Sequence, residues 1–457
     1  MLAPHTKLAL RPPTLSQLPA SIADAYRTAF YGRPGPTYID LPADYIQAAV
    51  PTLPALPPPV PSQPQLHPSP CRIRDLAAAF RTAQRPLLII GKGAAYARCE
   101  DTLRVFSAKH AIPFLPTPQG KGVLPDSSEL NTSAARSTAL KGADLVILLG
   151  ARANWILHFG TRFAEGAGVW QIDIAAEELG RNGLRPEHAI LSDLAPALAA
   201  ISGELGEWAH PTTSAWRTTL TASQSKNADK AAKVEGLRTA PGERLAYHRV
   251  FHLLQAELLR RTTAEQLVYV SEGANTMDIS RSIFTIASPR QRLDAGSYAT
   301  MGVGLGYAIA AATVYPTKRI IAIEGDSALG FSLAELETLA RFKMPVIVVV
   351  MNNGGVYHGI SDDSDKGWEG KWEGEHRRKE QKLPSTALGY ETRYEEVCRG
   401  LGGKGWRVTT EEELVRAVAE AWEYKNGPSL LNVVIRSGAG GKLSFGWLEK
   451  KEEAAKL

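Results

Sequence analysis

Apolar residues in this chain gather in short unbroken runs separated by stretches of helical spacing. Between 71 and about 205 the runs fall at 87–90, 144–149 and 169–174, each rich in Leu, Ile or Val. Strands of that kind alternating with helices predict a parallel α/β unit. A second unit, from 241 to about 436, carries runs at 267–270, 320–323 and 346–350. Between its last two runs, Leu333, Leu336, Leu339 and Ala340 recur at helical spacing, which predicts one helix from 331 to 342. Residues 1–50 offer less: one helix at about 16–30, a Gly-Arg-Pro-Gly turn and one strand at 37–41, too little to bury a core alone. Nine prolines fall within 51–70, so that stretch reads as an extended, semi-rigid linker. Residues 206–240 are polar and short of apolar periodicity, a second connector. The charged insertion at 361–382 reads as a loop over the site.

The strand ends carry the chemistry. The run at 320–323 closes in Glu324-Gly325-Asp326-Ser327, and the run at 346–350 in Met351-Asn352-Asn353-Gly354-Gly355. A right-handed crossover sets both ends on one carboxyl edge of the sheet, and neighbouring strands lie about 4.8 Å apart. Asp326 then offers a hard carboxylate and Asn353 a neutral oxygen, while the glycine turn brings the Gly355 carbonyl inward. An incomplete all-oxygen shell suits Mg²⁺, which takes its remaining ligands from water and phosphate. In the earlier unit, Gly91-Lys92-Gly93, Arg152 and Asp173 also close three runs. They form a nucleotide crevice, with Lys92 and Arg152 on phosphates and Asp173 accepting a ribose or adenine proton, or they are solvated strand-end charges.

Gly325-Asp326-Ser327 followed by Asn352-Asn353 resembles the signature of thiamine diphosphate-dependent enzymes. The longer string Gly-Asp-Ser-Ala-Leu-Gly-Phe-Ser at 325–332 is similar to the branch holding 2-hydroxyacyl-CoA lyase and oxalyl-CoA decarboxylase. Tyr31-Gly32-Arg33-Pro34-Gly35-Pro36, Leu115-Pro116-Thr117-Pro118, Gly150-Ala151-Arg152 and Ser271-Glu272-Gly273-Ala274-Asn275-Thr276 agree with it. The resemblance implies an α/β chain of parallel-sheet domains. These are a C-terminal diphosphate-binding domain (241–440), a central Rossmann-like domain (71–205) and, at 1–50, a remnant of the N-terminal pyrimidine-binding domain, with a tail at 441–457. It implies thiamine diphosphate and Mg²⁺ as cofactors, the metal on Asp326, Asn353 and Gly355. The cofactor would meet Asn275, Thr276, Met277, Thr300, Met301, Gly302, Ser327, Ala328 and Tyr357, with Tyr247 a further contact and Tyr357 a candidate for catalysis. Met301 is either the apolar wedge that bends the cofactor or a core methionine. Arg33, Lys92, Arg152 and Asp173 match positions that hold ADP, an activator, in oxalyl-CoA decarboxylase, and Ala134, Ala135, Arg136 and Ser137 match a region touching acyl-CoA.

The implied reaction splits a 2-hydroxyacyl-CoA into a fatty aldehyde and formyl-CoA, the carbon–carbon lyase step of fatty acid α-oxidation. The alternatives are decarboxylation of oxalyl-CoA and a non-catalytic, cofactor-binding subunit. The last arises because a first-domain glutamate drives cofactor activation in the family, and no acidic residue within 1–50 sits in its motif. The family also implies a homodimer or homotetramer. Composition narrows the rest. The net charge of +5 is spread along the chain, and the densest cluster, 371–382, mixes both signs, which argues against a nucleic-acid arm. No apolar run approaches the roughly 18 residues of a membrane span. Three dispersed cysteines argue against a disulfide framework or a zinc site. The terminal Ala455-Lys456-Leu457 is a variant of the peroxisomal Ser-Lys-Leu address, which implies an import receptor as partner and otherwise a cytoplasmic protein.

Overall fold

In the computed structural model, residues 2–50, 52, 55–360, 385–389 and 391–438 are described; the 361–382 insertion and the terminal Ala455-Lys456-Leu457 lie outside them. Every strand pairing within the sheets is parallel. The N-terminal piece is a two-stranded sheet, β1 (Leu8–Leu10) beside β2 (Thr37–Ile39), under helix α1 (Leu18–Phe30). As its composition requires, it has almost no core: Ala25 is the buried residue of α1, and Ile22, Tyr26 and Phe30 stand exposed along one face. Polar bonds dock it instead. Gly32 N–H reaches Gln63 Oε1 at 2.6 Å, and Arg33 reaches Glu178 of the central unit at 2.8 Å. The proline-rich stretch crosses the central unit in extended form, where Leu66 exchanges backbone and side-chain bonds with Asp193.

The central sheet has the order β4-β3-β5-β6-β7, from Pro86–Ile90 (β3), Phe114–Pro116 (β4), Leu145–Leu149 (β5), Gly168–Asp173 (β6) and Ala189–Leu191 (β7). Helices cover both faces, so β3 and β5 are buried at every position and read as unbroken apolar runs rather than alternating ones. Leu88, Ile90, Ile147 and Leu149 meet Phe80 and Leu103 on one face, and Leu87, Ile89, Val146 and Leu148 meet Ala139 and Trp216 on the other.

The stretch at 206–240 differs from a plain connector. It holds helix α2 (Ala215–Gly236), capped by Ser214 Oγ, which accepts from Arg217 N–H. Only Trp216 and Leu220 of this helix are buried, so the apolar signal fades after its first two turns. Beyond them polar side chains hold it: Gln224 and Asn227 donate to the carbonyls of Asn131 and Ala134.

The C-terminal sheet has the order β12-β13-β11-β10-β8-β9, from Leu267–Glu272 (β8), Arg292–Asp294 (β9), Arg319–Gly325 (β10), Ile347–Asn352 (β11), Lys404–Val408 (β12) and Ser429–Val434 (β13). The expected single helix between β10 and β11 is two, Asp326–Ser332 (α3) and Glu335–Arg341 (α4), and the first starts on the residue after the strand. Charged and polar bonds join the two large units: Lys121 pairs with Asp126 at 2.9 Å and donates to Arg281 O, Asp126 accepts from Ile286 N–H, and Arg290 pairs with Glu100 at 2.6 Å.

His110 is fully buried in the central unit, with Nδ1 on Trp208 O at 2.6 Å and Nε2 on Ser202 Oγ at 2.9 Å. The carbonyl accepts only, so Nδ1 carries the proton and Nε2 accepts from the hydroxyl. Burial lowers the pKa of this neutral imidazole, and that of His210 beside it, below the ordinary 6.5. A depressed native value means that their contribution is fully present above about pH 6.5 and is lost as pH falls through the native pKa. His110→Gln should therefore flatten the decline of Tm between pH 7 and pH 5 in thermal unfolding; an unchanged slope would refute this assignment.

Candidate cofactor site at the carboxyl edge of the C-terminal sheet

In register, Gly325 of β10 lies opposite Met351 of β11, so Asp326 and Asn353 follow the ends of adjacent parallel strands. Asp326 is buried, and its partners are all backbone N–H groups. Ser327 N–H lies 2.7 Å from Oδ1, while Gly354 and Gly355 N–H lie 2.7 and 3.2 Å from Oδ2. Burial outweighs these bonds and raises the carboxyl pKa to about 6. The Gly355 N–H also lies 3.3 Å from Asn353 Oδ1, so the carboxylate and the amide oxygen converge on one backbone group. Asn353 Nδ2 donates to Tyr357 O at 3.1 Å, which leaves its oxygen turned toward Asp326. Strand alternation sends the neighbouring Asn352 the other way, to Asn432 of β13 and the Thr392 carbonyl.

The opposite wall is the turn after β8 and the helix that follows, Ala274–Ile283. Asn275 Nδ2 donates to Tyr357 O at 3.1 Å and reaches His358 Nδ1 at 2.7 Å, tying this wall to the metal turn. Thr276 Oγ1 meets the Tyr247 hydroxyl at 3.4 Å, and burial raises the pKa of that phenol. Met277 is buried, and its carbonyl accepts from Arg292. Ala328 packs beneath the turn, fully buried. The Tyr357 hydroxyl is buried without a hydrogen-bond partner among the described residues, on a residue held at φ +63°. On the outer side Thr300 is exposed and Met301 is 41% exposed.

Two carboxyl groups not anticipated from the sequence stand behind this turn. Glu272 ends β8, and both its oxygens accept backbone N–H groups, from Gly302 and Gly304. Glu324, its register neighbour on β10, is wholly buried, with neither oxygen hydrogen-bonded among the described residues. Burial and the nearby Glu272 raise its pKa far above the usual carboxylate range. Their signal in the sequence was an acidic residue at the end of each of two apolar runs.

The second predicted cluster divides. Lys92 and Arg152 line one cleft with Gly91, Asn154 and Gln119, and Arg281 and Ser297 of the C-terminal unit close its far side. Burial, then the charges of Arg152 and Arg33, lowers the Lys92 pKa, as expected where cations crowd. Asp173 is not among the lining residues and accepts from Ala175 N–H in its own turn. Arg33 and Arg152 both face Glu178, at 2.8 and 3.7 Å, a residue the sequence reading missed. Arg136 is half-buried and donates to Ile156 O, with Ala135 buried beside it and Ala134 and Ser137 exposed.

An acidic oxygen, an amide oxygen and a main-chain turn without a cationic side chain among the described partners of Asp326 suit a hard divalent cation, and the exposed outer turn leaves one side open to a ligand. Comparison with known proteins agrees. The model of the thiamine pyrophosphate enzyme central domain matches residues 73–201, and that of the C-terminal TPP binding domain matches residues 272–433. The chain is 41% identical to 2-hydroxyacyl-CoA lyase 1 of Mus musculus over 98% of its own length and 76% of the mouse protein. It is 37% identical to oxalyl-CoA decarboxylase of Escherichia coli over 96% of its length and 74% of that protein, and 34% identical to the Arabidopsis thaliana 2-hydroxyacyl-CoA lyase over 96% and 76%. The chain therefore belongs to the thiamine pyrophosphate enzyme family, among the relatives of 2-hydroxyacyl-CoA lyase and oxalyl-CoA decarboxylase.

Proposed function

We propose that this protein is a thiamine diphosphate-dependent lyase that cleaves 2-hydroxyacyl-CoA to formyl-CoA and a fatty aldehyde. The observation that carries the reading is the buried Asp326 carboxylate sharing the Gly355 N–H with Asn353 at the matched carboxyl edge. A buried carboxylate whose described partners are all backbone amides is short of positive charge, and Mg²⁺ supplies it. Asp326, Asn353 and the Gly355 carbonyl would hold the ion, with Asn275, Thr276, Ser327 and the turn from Thr300 to Gly302 around the cofactor. When bound, thiamine diphosphate supplies a carbanion that makes the carbon–carbon bond beside a thioester carbonyl breakable. The chain's own part is to bind and orient. Asn275 and Asn353 both fix the Tyr357 carbonyl, which sets the Tyr357 ring, and its partnerless hydroxyl, kept protonated by burial, can donate to a substrate oxygen. Lys92 and Arg152 would take the phosphates of coenzyme A or of an activating ADP. The resemblance supports a homodimer or homotetramer, and the Ala455-Lys456-Leu457 sequence supports peroxisomal import.

Two measurements test this. Supplied with Mg²⁺ and thiamine diphosphate, the protein should convert 2-hydroxyoctadecanoyl-CoA to an aldehyde one carbon shorter, detected by mass spectrometry alongside formyl-CoA. Consumption of oxalyl-CoA alone would identify a decarboxylase, and calorimetric binding without turnover of either would identify a binding subunit. Asp326→Asn keeps the shape and removes the charge. It should weaken Mg²⁺-dependent thiamine diphosphate binding by about 100-fold or more, while the Tm of the cofactor-free protein moves little, because loss of a costly buried charge is offset by the amide donor that then faces a backbone N–H. Unchanged affinity would remove Asp326 from the metal site.

A further inference from the structure

We propose that Glu272 is a positioning residue for the cofactor: its carboxylate grips the backbone of the turn that carries Thr300 and Met301 and so sets the outer wall of the site. The inference rests on the thiamine diphosphate reading and goes beyond it, since neither the metal motif nor the cofactor-contact positions include Glu272.

The argument is geometric. Glu272 is fully buried at the end of β8, and its two oxygens take one N–H each, Gly302 on Oε1 and Gly304 on Oε2. Only a side chain with two acceptor oxygens can satisfy both amides at once; the glutamine amide would present a donor to one of them. The two anchored residues bracket Val303 and directly follow Met301, so the turn cannot swing without breaking a charge-assisted bond in a buried setting. The glycines are what the grip requires. Gly302 sits at φ +83°, a conformation that disfavours any side chain, and a Cβ on Gly304 would collide with the Glu324 carboxyl. Glu324 thus fills the space behind the turn while Glu272 holds its front. Ser297, at the start of the turn, is held by Trp155 and Arg152, but beyond it the support is slight: Thr300 makes one long backbone contact, to Ala295 at 3.4 Å, and Tyr298, Thr300 and Met301 are exposed. An exposed methionine on a turn whose backbone is pinned from within is a wall held in place for a ligand rather than by its own packing.

The test uses Glu272→Gln in the full chain, with Gly302→Ala as a second variant acting on the same turn. In cofactor-free protein, hydrogen–deuterium exchange of the peptide covering 299–305 should speed up at least tenfold in Glu272→Gln. By titration calorimetry, affinity for Mg²⁺–thiamine diphosphate should fall at least tenfold, the loss of about one charge-assisted hydrogen bond. Affinity for Mg²⁺–pyrophosphate, which lacks the rings the turn would support, should change less than about threefold by the same titration; damage to the fold at large would weaken both ligands alike and overturn the proposal. The double variant should bind no more weakly than the worse single one, because both act through one turn. If Glu272→Gln fails to fold, Gly302→Ala must still show the faster exchange and the selective loss, and wild-type behaviour there overturns the proposal. Wild-type protein that binds no thiamine diphosphate would sink the cofactor reading itself, with the exchange measurement still deciding whether Glu272 governs the turn. Unchanged exchange and affinity in Glu272→Gln, with the wild type binding, would sink this inference alone.

Discussion

A buried carboxylate whose described partners are all backbone amides is the constraint around which the C-terminal unit is arranged. Asp326 is surrounded by backbone N–H groups that lower its charge cost without cancelling it. Taking such a group out of water is expensive. It persists because the parallel register leaves no freedom: the strand ends at Gly325 and the chain turns at once into helix α3. The same register places Asn353 beside it and turns Asn352 back into the sheet, so one dipeptide serves both the site and the fold. The cost in stability is confined to the strand end.

The edge of a parallel sheet is where such a site has to be. Within β8, β10 and β11 every position is buried on both faces, which leaves no room for a ligand along the strands themselves. Past the strand ends the chain is free to present polar atoms, and Glu272, Asp326 and Asn353 all occur there. The central sheet repeats the arrangement with cations in place of oxygens, Lys92 and Arg152, and Arg281 reaches that cleft from the C-terminal unit. Two chemically opposite strand-end clusters, one of oxygens and one of cations, arise from a single topological rule applied twice.

Most of this was legible from residue order because strands covered on both faces announce themselves. The runs at 87–90 and 320–323 lie within the observed strands, the run at 346–350 begins one residue before its strand, and Asp326 and Asn353 both accept from the Gly355 N–H. What escaped did so for physical reasons. Helix α2 carries its apolar signal only at Trp216 and Leu220, and the rest is held by Gln224 and Asn227, whose polarity resembles that of a loop. Asp173 stands at a strand end as expected, yet a local N–H two residues on takes its carboxylate. Glu272, Glu324 and Glu178 went unread because an acidic residue next to an apolar run signals exposure unless the fold is known. Here two of them lie wholly inside.

The seam between the central and C-terminal units has one further consequence. Lys121, Asp126, Arg281 and Asp294 meet there largely out of reach of solvent, the Asp294 side chain completely so. Dissolved ions weaken exposed pairs within a Debye length of about 8 Å at physiological ionic strength, but act much less on charges so far withdrawn from water. Raising the salt would loosen an exposed pair such as Arg11 with Asp40 long before it loosened this joint, so the two units would stay locked together.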